Sequence, residues 1–225
     1  MNSILIVTAH PDDEVFGCGG TIARHISNGD KVAIHFMTDG VSARDYDNSV
    51  EAQIRKESAL IALNELGVDA DNVTFGDFPD NQMDTVPLIK VAKSVEESLA
   101  KVKPRIIYTH FSDDLNVDHR ITHQAVMTAC RPQSHSTVKE IYCYEVMSST
   151  EWNSHSQNKF NPNKHINIDD FWSKKLAALN AYSRELRAFP HSRSIEAIEA
   201  LAIWRGASVG LNKAEAFQIE RIIEV

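Results

Sequence analysis

Short apolar, β-branched runs alternate along this chain with longer stretches whose apolar residues recur at helical spacing. The runs at residues 4–7, 31–38, 72–75, 105–109 and 139–146 read as strands. The first of them, Ile4-Leu5-Ile6-Val7, suits a strand buried on both faces. Helical spacing covers residues 13–27, 50–66, 86–102, 121–130, 171–182 and 195–205, and residues 215–223 form a last strand or helix. Turn residues punctuate the pattern: Asn28-Gly29-Asp30 stops the first helix, Gly67 caps the second, and Pro104 and Pro132 follow the next two. Residues 153–163 are polar and turn-rich, a surface loop. No repeat, low-complexity tract or linker interrupts this order, so residues 1–225 are expected to form a single domain. Strands alternating with helices of this length predict an α/β fold, a mostly parallel sheet with helices on both faces.

Composition narrows the function classes. A formal net charge of −8 argues against a general nucleic-acid binder or a protein bound to anionic membranes, although it leaves room for a local basic pocket. No apolar run approaches the roughly 18 residues of a membrane span, and the first three residues lead straight into a strand without a signal-peptide pattern. Cys18, Cys130 and Cys143 are odd in number and lack Cys-x-x-Cys spacing, which fits reduced thiols. A cytoplasmic protein without membrane insertion is expected, and a homo-oligomer is compatible with the sequence. His35, inside the second strand, reads as a core or sheet-edge histidine.

Two polar clusters follow strands. The first is His10-Pro11-Asp12-Asp13-Glu14; Pro11 fixes its own φ near about −65° and keeps His10 out of the helical region, so the turn is stiff. The second is His110-Phe111-Ser112-Asp113-Asp114-Leu115-Asn116-Val117-Asp118-His119. A parallel sheet brings both to its carboxyl edge, where open α/β sheets place their chemistry. His10 and Asp13 can then aim at one point, and a third donor from the second cluster, with His119 the leading candidate, gives two imidazoles and one carboxylate. Such a set suits catalytic Zn²⁺ with a position left for water, and leaves Asp12 as a general base. Spacing alone equally allows Asp12 and Asp13 to cap a helix while His10 sits in a turn.

Ala9-His10-Pro11-Asp12-Asp13-Glu14 resembles the Ala-His-Pro-Asp-Asp-Glu signature of the LmbE-like, or PIG-L-type, zinc-dependent N-deacetylases. Val117-Asp118-His119-Arg120 resembles the tail of that family's His-Pro-Asp-His motif, and Ser192-Arg193-Ser194, Trp204-Arg205-Gly206 and Ala214-Glu215-Ala216-Phe217 resemble its C-terminal pattern. The resemblance implies a Rossmann-like fold, His10, Asp13 and His119 as zinc ligands, and Asp12 as the base that takes a proton from water and returns it to the departing amine. Glu14 reads as a residue that orients the ligands or binds backbone. Fe²⁺ or Co²⁺ would also suit two histidines and a carboxylate.

One position departs from the pattern. Asn116 stands where the family's second motif begins with the histidine that stabilises the oxyanion. Asn116 can donate a neutral hydrogen bond there, or His110 or His123 can reach in; alternatively Asn116 is only a helix cap. Asp118 is expected to orient a metal-bound histidine or to start a helix. By position in the family pattern, Arg55 and Asp80, with Arg44 and Asp77 as rivals, would contact sugar hydroxyls, although Arg55 also fits an ordinary charged helix face. Tyr144, Glu145 and Trp152 could wall a sugar ring or belong to the core, and His191 could line the same mouth. The implied substrate is a small N-acetylated sugar of glycan or nucleotide-sugar metabolism. The alternatives are an amidase of small-thiol conjugates and a non-catalytic zinc- or sugar-binding protein.

Overall fold

A computed structural model describes residues 1–41, 49–154 and 157–224. In chain order its elements are β1 (Ser3–Thr8), α1 (Asp13–Ser27), β2 (Lys31–Thr38), α2 (Ser49–Leu66), β3 (Val73–Phe78), α3 (Leu88–Val102), β4 (Ile106–His110), α4 (Val117–Ala129), β5 (Glu140–Tyr144), β6 (Lys164–Asn167), α5 (Trp172–Ala181), α6 (Ile195–Ala207) and β7 (Ala214–Ile222). The strands form one sheet in the order β3-β2-β1-β4-β5-β7-β6. β1 to β5 are parallel, and β7 runs antiparallel between β5 and β6.

The period-2 alternation of each strand feeds two cores. Ile4, Ile6, Ile34, Phe36, Tyr108 and Tyr142 face one side with residues of α1, α2 and α5. Leu5, Val7, Ala33, Ile107 and Ile141 face the other, with residues of α3 and α4. The expected α/β architecture is therefore the observed one, with helices on both faces.

Two elements differ from the sequence expectation, and a third settles between its two alternatives. α4 starts at Val117, four residues before the apolar pattern begins, because Asn116 Oδ1 accepts the Asp118 N–H at 2.8 Å and caps a first turn made of polar residues. β6 directly follows the segment read as a surface loop, in residues where no element was expected: it is only half-buried and exists through its pairing with β7. The C-terminal segment is a strand.

α1 is kinked at Cys18 (φ −147°, ψ 23°), which frees amides in mid-helix. Glu215 on β7 takes the N–H groups of Gly20 and Thr21 at 2.9 and 2.7 Å, and Lys175 bridges Glu215 (2.6 Å) to the Phe16 carbonyl (2.9 Å). The kink is thus held by a buried ion pair that takes up two of its amides and one of its carbonyls. Gly17 lets Tyr144 lie directly on α1, where a Cβ would collide with its ring.

Neighbouring connections leave β1 in opposite directions, towards β2 on one side and β4 on the other. A crevice opens at such a switch point beyond the carboxyl ends of the strands. The two polar clusters follow β1 and β4 and meet there.

Candidate metal centre and active site

The turn after β1 is built under strain. Asp12 has φ 130°, a region that non-glycine residues rarely occupy and that costs about 1–3 kcal/mol. Its N–H donates to Glu14 Oε2 at 3.0 Å, and Glu14 Oε1 accepts the Tyr182 hydroxyl at 2.7 Å. Glu14 therefore holds backbone, and burial pushes its carboxyl up to about 8. The strained turn brings His10 and Asp13 face to face: Asp13 Oδ2 accepts the His10 N–H at 2.9 Å and lies 3.1 Å from His10 Nδ1.

His119, on the first turn of α4, completes a triangle. Its Nε2 is 3.3 Å from His10 Nδ1 and 3.2 Å from Asp13 Oδ2. A tetrahedral Zn²⁺ with donors at about 2.0–2.1 Å requires them about 3.3 Å apart, so the three atoms already have the spacing of one face of that tetrahedron. The opposite nitrogens are engaged by carboxylates: His10 Nε2 lies 3.0 Å from Asp118 and 3.2 Å from Asp80, and His119 Nδ1 lies 3.1 Å from Asp114. Asp118 is itself fixed by the N–H groups of Asn81 (2.6 Å) and Met83 (3.0 Å), and Asp114 by Ser149 and Thr150. Carboxylate-backed imidazoles aimed at one point are the usual support of a metal site.

The electrostatics fit a cation. Burial opposes charge on His10, yet Asp118, Asp13 and Asp80 hold it well above the ordinary histidine value. Burial likewise opposes charge on His119, and Asp13 and Asp114 raise it to about 9. This field calls for positive charge at the triangle, and a divalent ion would displace the protons it otherwise holds there. Asp13 Oδ1 is buried with no hydrogen-bond partner, a further acceptor free for an ion. The donor set therefore fits a divalent metal.

A polar cleft of about 170 Å³ opens above this point, lined among others by His10, Asp12, Arg55, Asp80, Asn116 and Arg193. Arg55 and Arg193 both donate to Asp12 Oδ2, at 3.1 and 3.0 Å. Burial raises the Asp12 pKa, Arg193 and Arg55 pull against it, and Asp13 adds to the rise. Among the described residues both guanidinium bonds fall on Oδ2, which leaves Oδ1 as the oxygen open to a proton. Glu185 pairs with Arg55 and lies 3.6 Å from Arg193, tying the two cations together.

The remaining candidates separate on these coordinates. Asn116 reaches the cleft, with Nδ2 donating to Asn81 Oδ1 at 3.1 Å. His110 does not: it is fully buried, stacked on His119 at 3.9 Å, and its Nε2 accepts the Ala9 N–H at 2.8 Å. Burial, aided by His119, holds it well below the ordinary value, so it is a neutral support for the triangle. With Nε2 accepting, its proton sits on Nδ1, which is buried without a hydrogen-bond partner among the described residues, and His110 is not among the residues that line the cleft. His123 faces Cys143 and Glu220 instead. Arg55 lies inside the site and not on a solvated helix face. Asp80 lies against His10 as well as the cleft. Tyr144 is fully buried with its ring edge towards His110 (5.0 Å), so it packs beneath the site and offers no wall to a sugar. Glu145 is taken up by a bidentate pair with Arg205, while Trp152 is half-exposed, edge-on to His191 at 5.6 Å. Asp77 is exposed, and Arg44 lies outside the described residues.

Sequence reasoning passed over Arg193, Glu185 and Asp114 as parts of the site. Arg193 carried a signal as the centre of the Ser192-Arg193-Ser194 pattern and Asp114 as a member of the second polar cluster, while Glu185 carried none.

Known proteins resemble this chain in sequence and in fold. Residues 5–130 match the family described as PIG-L, GlcNAc-PI de-N-acetylase. An uncharacterized deacetylase, YaiS, of Escherichia coli is 30% identical over 184 residues, which cover 80% of this chain and 89% of that protein. The 4-oxalmesaconate hydratase of Pseudomonas putida is 26% identical over 189 residues, covering 79% and 71%. The fold superposes on N,N'-diacetylchitobiose deacetylase from Pyrococcus horikoshii with a TM-score of 0.76 at 22% identity, covering 97% of this chain and 83% of that one. Among the described residues no helix is long and apolar enough to cross a membrane.

Proposed function

The chain belongs to the PIG-L (GlcNAc-PI de-N-acetylase) family, and from that premise we propose that it is a metal-dependent hydrolase that removes the acetyl group from an N-acetylated amino sugar. The observation that carries this reading is the triangle of His10 Nδ1, Asp13 Oδ2 and His119 Nε2, with edges of 3.1–3.3 Å, at the floor of a cleft that also holds Asp12 and Asn116.

In this reading His10, Asp13 and His119 hold a divalent ion, with Zn²⁺ the first choice for two imidazoles and a carboxylate and Fe²⁺ or Co²⁺ workable. When bound, the ion supplies a Lewis acid for the acyl oxygen and a shift of water acidity towards neutrality. Asp12 Oδ1 takes the proton of the attacking water as its oxygen bonds to the acetyl carbon, and returns it to the amide nitrogen as the C–N bond breaks. The products are acetate and a free amine. Burial raises the Asp12 pKa, as suits a group that takes and returns a proton, while Arg193 and Arg55 favour its ionised form and limit the rise. Asn116 Nδ2 donates to the oxygen that gains charge during attack, in place of its bond to Asn81. Arg55 and Asp80 line the cleft, where a sugar hydroxyl can reach them.

A second reading, addition of water to an unsaturated acid at the same centre, is supported by the hydratase relative. Release of acetate and amine from free and nucleotide-linked N-acetylglucosamine, run beside the loss of ultraviolet absorbance of a conjugated dicarboxylic acid, separates the two. Equimolar acetate and amine support deacetylation. Consumption of the unsaturated acid without acetate release from any N-acetyl sugar overturns it.

A further inference from the structure

His123 sits one turn beyond His119 on α4, and its ring meets a different set of groups. Its Nε2 lies 3.8 Å from Glu220 Oε2, Cys143 Sγ lies 4.0 Å from the same oxygen, and the three donors fall within 4.8 Å of one another. His123 is 7% exposed, yet Nε2 has no hydrogen-bond partner. A buried nitrogen aimed at a thiol and a carboxylate without a bond calls for an explanation.

The backbone supplies a second observation. β7 pairs with β5 through Ile219 opposite Tyr142 and Arg221 opposite Ile141, so Glu220 is the extra residue of a bulge. Bulges re-aim a side chain, and this one turns a glutamate towards Cys143 and His123. Gln218, directly opposite Cys143, also keeps its Oε1 buried and unpartnered.

We propose that His123 Nε2, Cys143 Sγ and Glu220 Oε2 form a second metal site, for a borderline-soft divalent ion such as Zn²⁺, separate from the His10–Asp13–His119 centre. One thiolate, one imidazole and one carboxylate select Zn²⁺ or Co²⁺ over Mg²⁺ or Ca²⁺. Tetrahedral zinc with such ligands spaces its donors about 3.3–3.5 Å apart, about half an ångström inside the 3.8 and 4.0 Å separations from Glu220 Oε2 and within reach of the 4.8 Å limit that holds for all three donors. The Glu220 side chain is 28% exposed, so it supplies both the freedom to close that gap and an entry path. Binding displaces the thiol proton of Cys143 and fastens the β7 bulge to α4, the helix that carries His119.

Titration of metal-free full-length protein with Co²⁺ tests this directly. The first centre contains no sulfur, and among the described residues this is the one three-donor group with a cysteine, so a thiolate-to-cobalt charge-transfer band in the near ultraviolet reports the second site. The expected result is two bound equivalents with that band. Cys143→Ser should remove the band and one equivalent, and Glu220→Gln, at an exposed position that tolerates the change, should weaken that site at least about tenfold. A single equivalent without the band, a band that survives Cys143→Ser, or an affinity unchanged by Glu220→Gln overturns the proposal. Wild-type stoichiometry and Glu220→Gln decide the matter even if Cys143→Ser does not fold.

Discussion

Arg193 Nη1 donates to Asp12 Oδ2 at 3.0 Å across 181 residues of sequence, on the oxygen that Arg55 reaches at 3.1 Å. Burial beside Asp13 raises the Asp12 pKa, and two cations from separate parts of the fold pull against that rise. The ring of Phe16 lies under the Arg193 guanidinium at 4.8 Å and fixes its position.

Removing one of these cations should raise the Asp12 pKa further. In Arg193→Met the acid limb of the kcat/KM profile should therefore move to higher pH, by about 1 unit. Profiles of wild type and variant over the acid range check this, and a limb that stays in place means that Arg193 does not tune the base.

Asn116 combines two roles that substitution can separate. Asn116→Asp keeps a cap oxygen for the Asp118 N–H but removes the amide donor, so melting should change little while kcat falls about 10²-fold. Asn116→Ala should lose the same rate and in addition about 1 kcal/mol of stability. A rate retained in Asn116→Asp would reduce the residue to a cap.

Legibility of the site follows the range of the contacts that make it. His10, Asp12 and Asp13 are visible in the sequence because one stiff turn after one buried strand brings them together. The strands β1, β2 and β4 are visible because burial on both faces leaves largely apolar runs, broken inside β2 only by His35. α4 hides its start, since three of the first four residues, Asp118, His119 and Arg120, are polar ones set around the site, and its cap, Asn116, also reads as chemistry. β6 has no apolar signature because pairing to β7 alone defines it. Arg193 and Glu185 act through contacts more than a hundred residues apart, which no local pattern encodes. Asp114 stands in the second polar cluster five residues before the His119 it faces, with nothing in the pattern to set it apart from Asp113 or Asp118. Tyr144 and His110 carry site chemistry in their residue type and packing duty in their burial, and only the fold tells these apart.

Asp114 receives His119 Nδ1 and is clamped by Ser149 and Thr150. Asp114→Asn leaves the three proposed metal ligands in place but weakens the orientation of His119, so affinity for Zn²⁺ should fall about 10–100-fold. Competition with a chromogenic chelator measures the change.

His35, far from the cleft, bonds Thr74 and Ser94 at 2.8 and 3.0 Å, and burial lowers its pKa to about 4. The unfolded chain binds a proton at this residue below about 6.5 and the folded chain does not until about 4, so stability is full above that window and falls as pH drops through it. The loss amounts to about 3 kcal/mol. Urea unfolding at neutral and acid pH should show a smaller acid loss in His35→Gln, whose amide does not titrate.

The most direct test of the metal-dependent hydrolase is acetate release from N-acetylglucosamine derivatives by chelated protein, by the same protein reloaded with Zn²⁺, and by reloaded Asp12→Asn. Release should vanish on chelation, return with Zn²⁺, and fall about 10²–10⁴-fold in Asp12→Asn while that variant still binds the ion. Acetate release that survives chelation, or that Asp12→Asn leaves intact, would contradict both the metal centre and the base assigned to it.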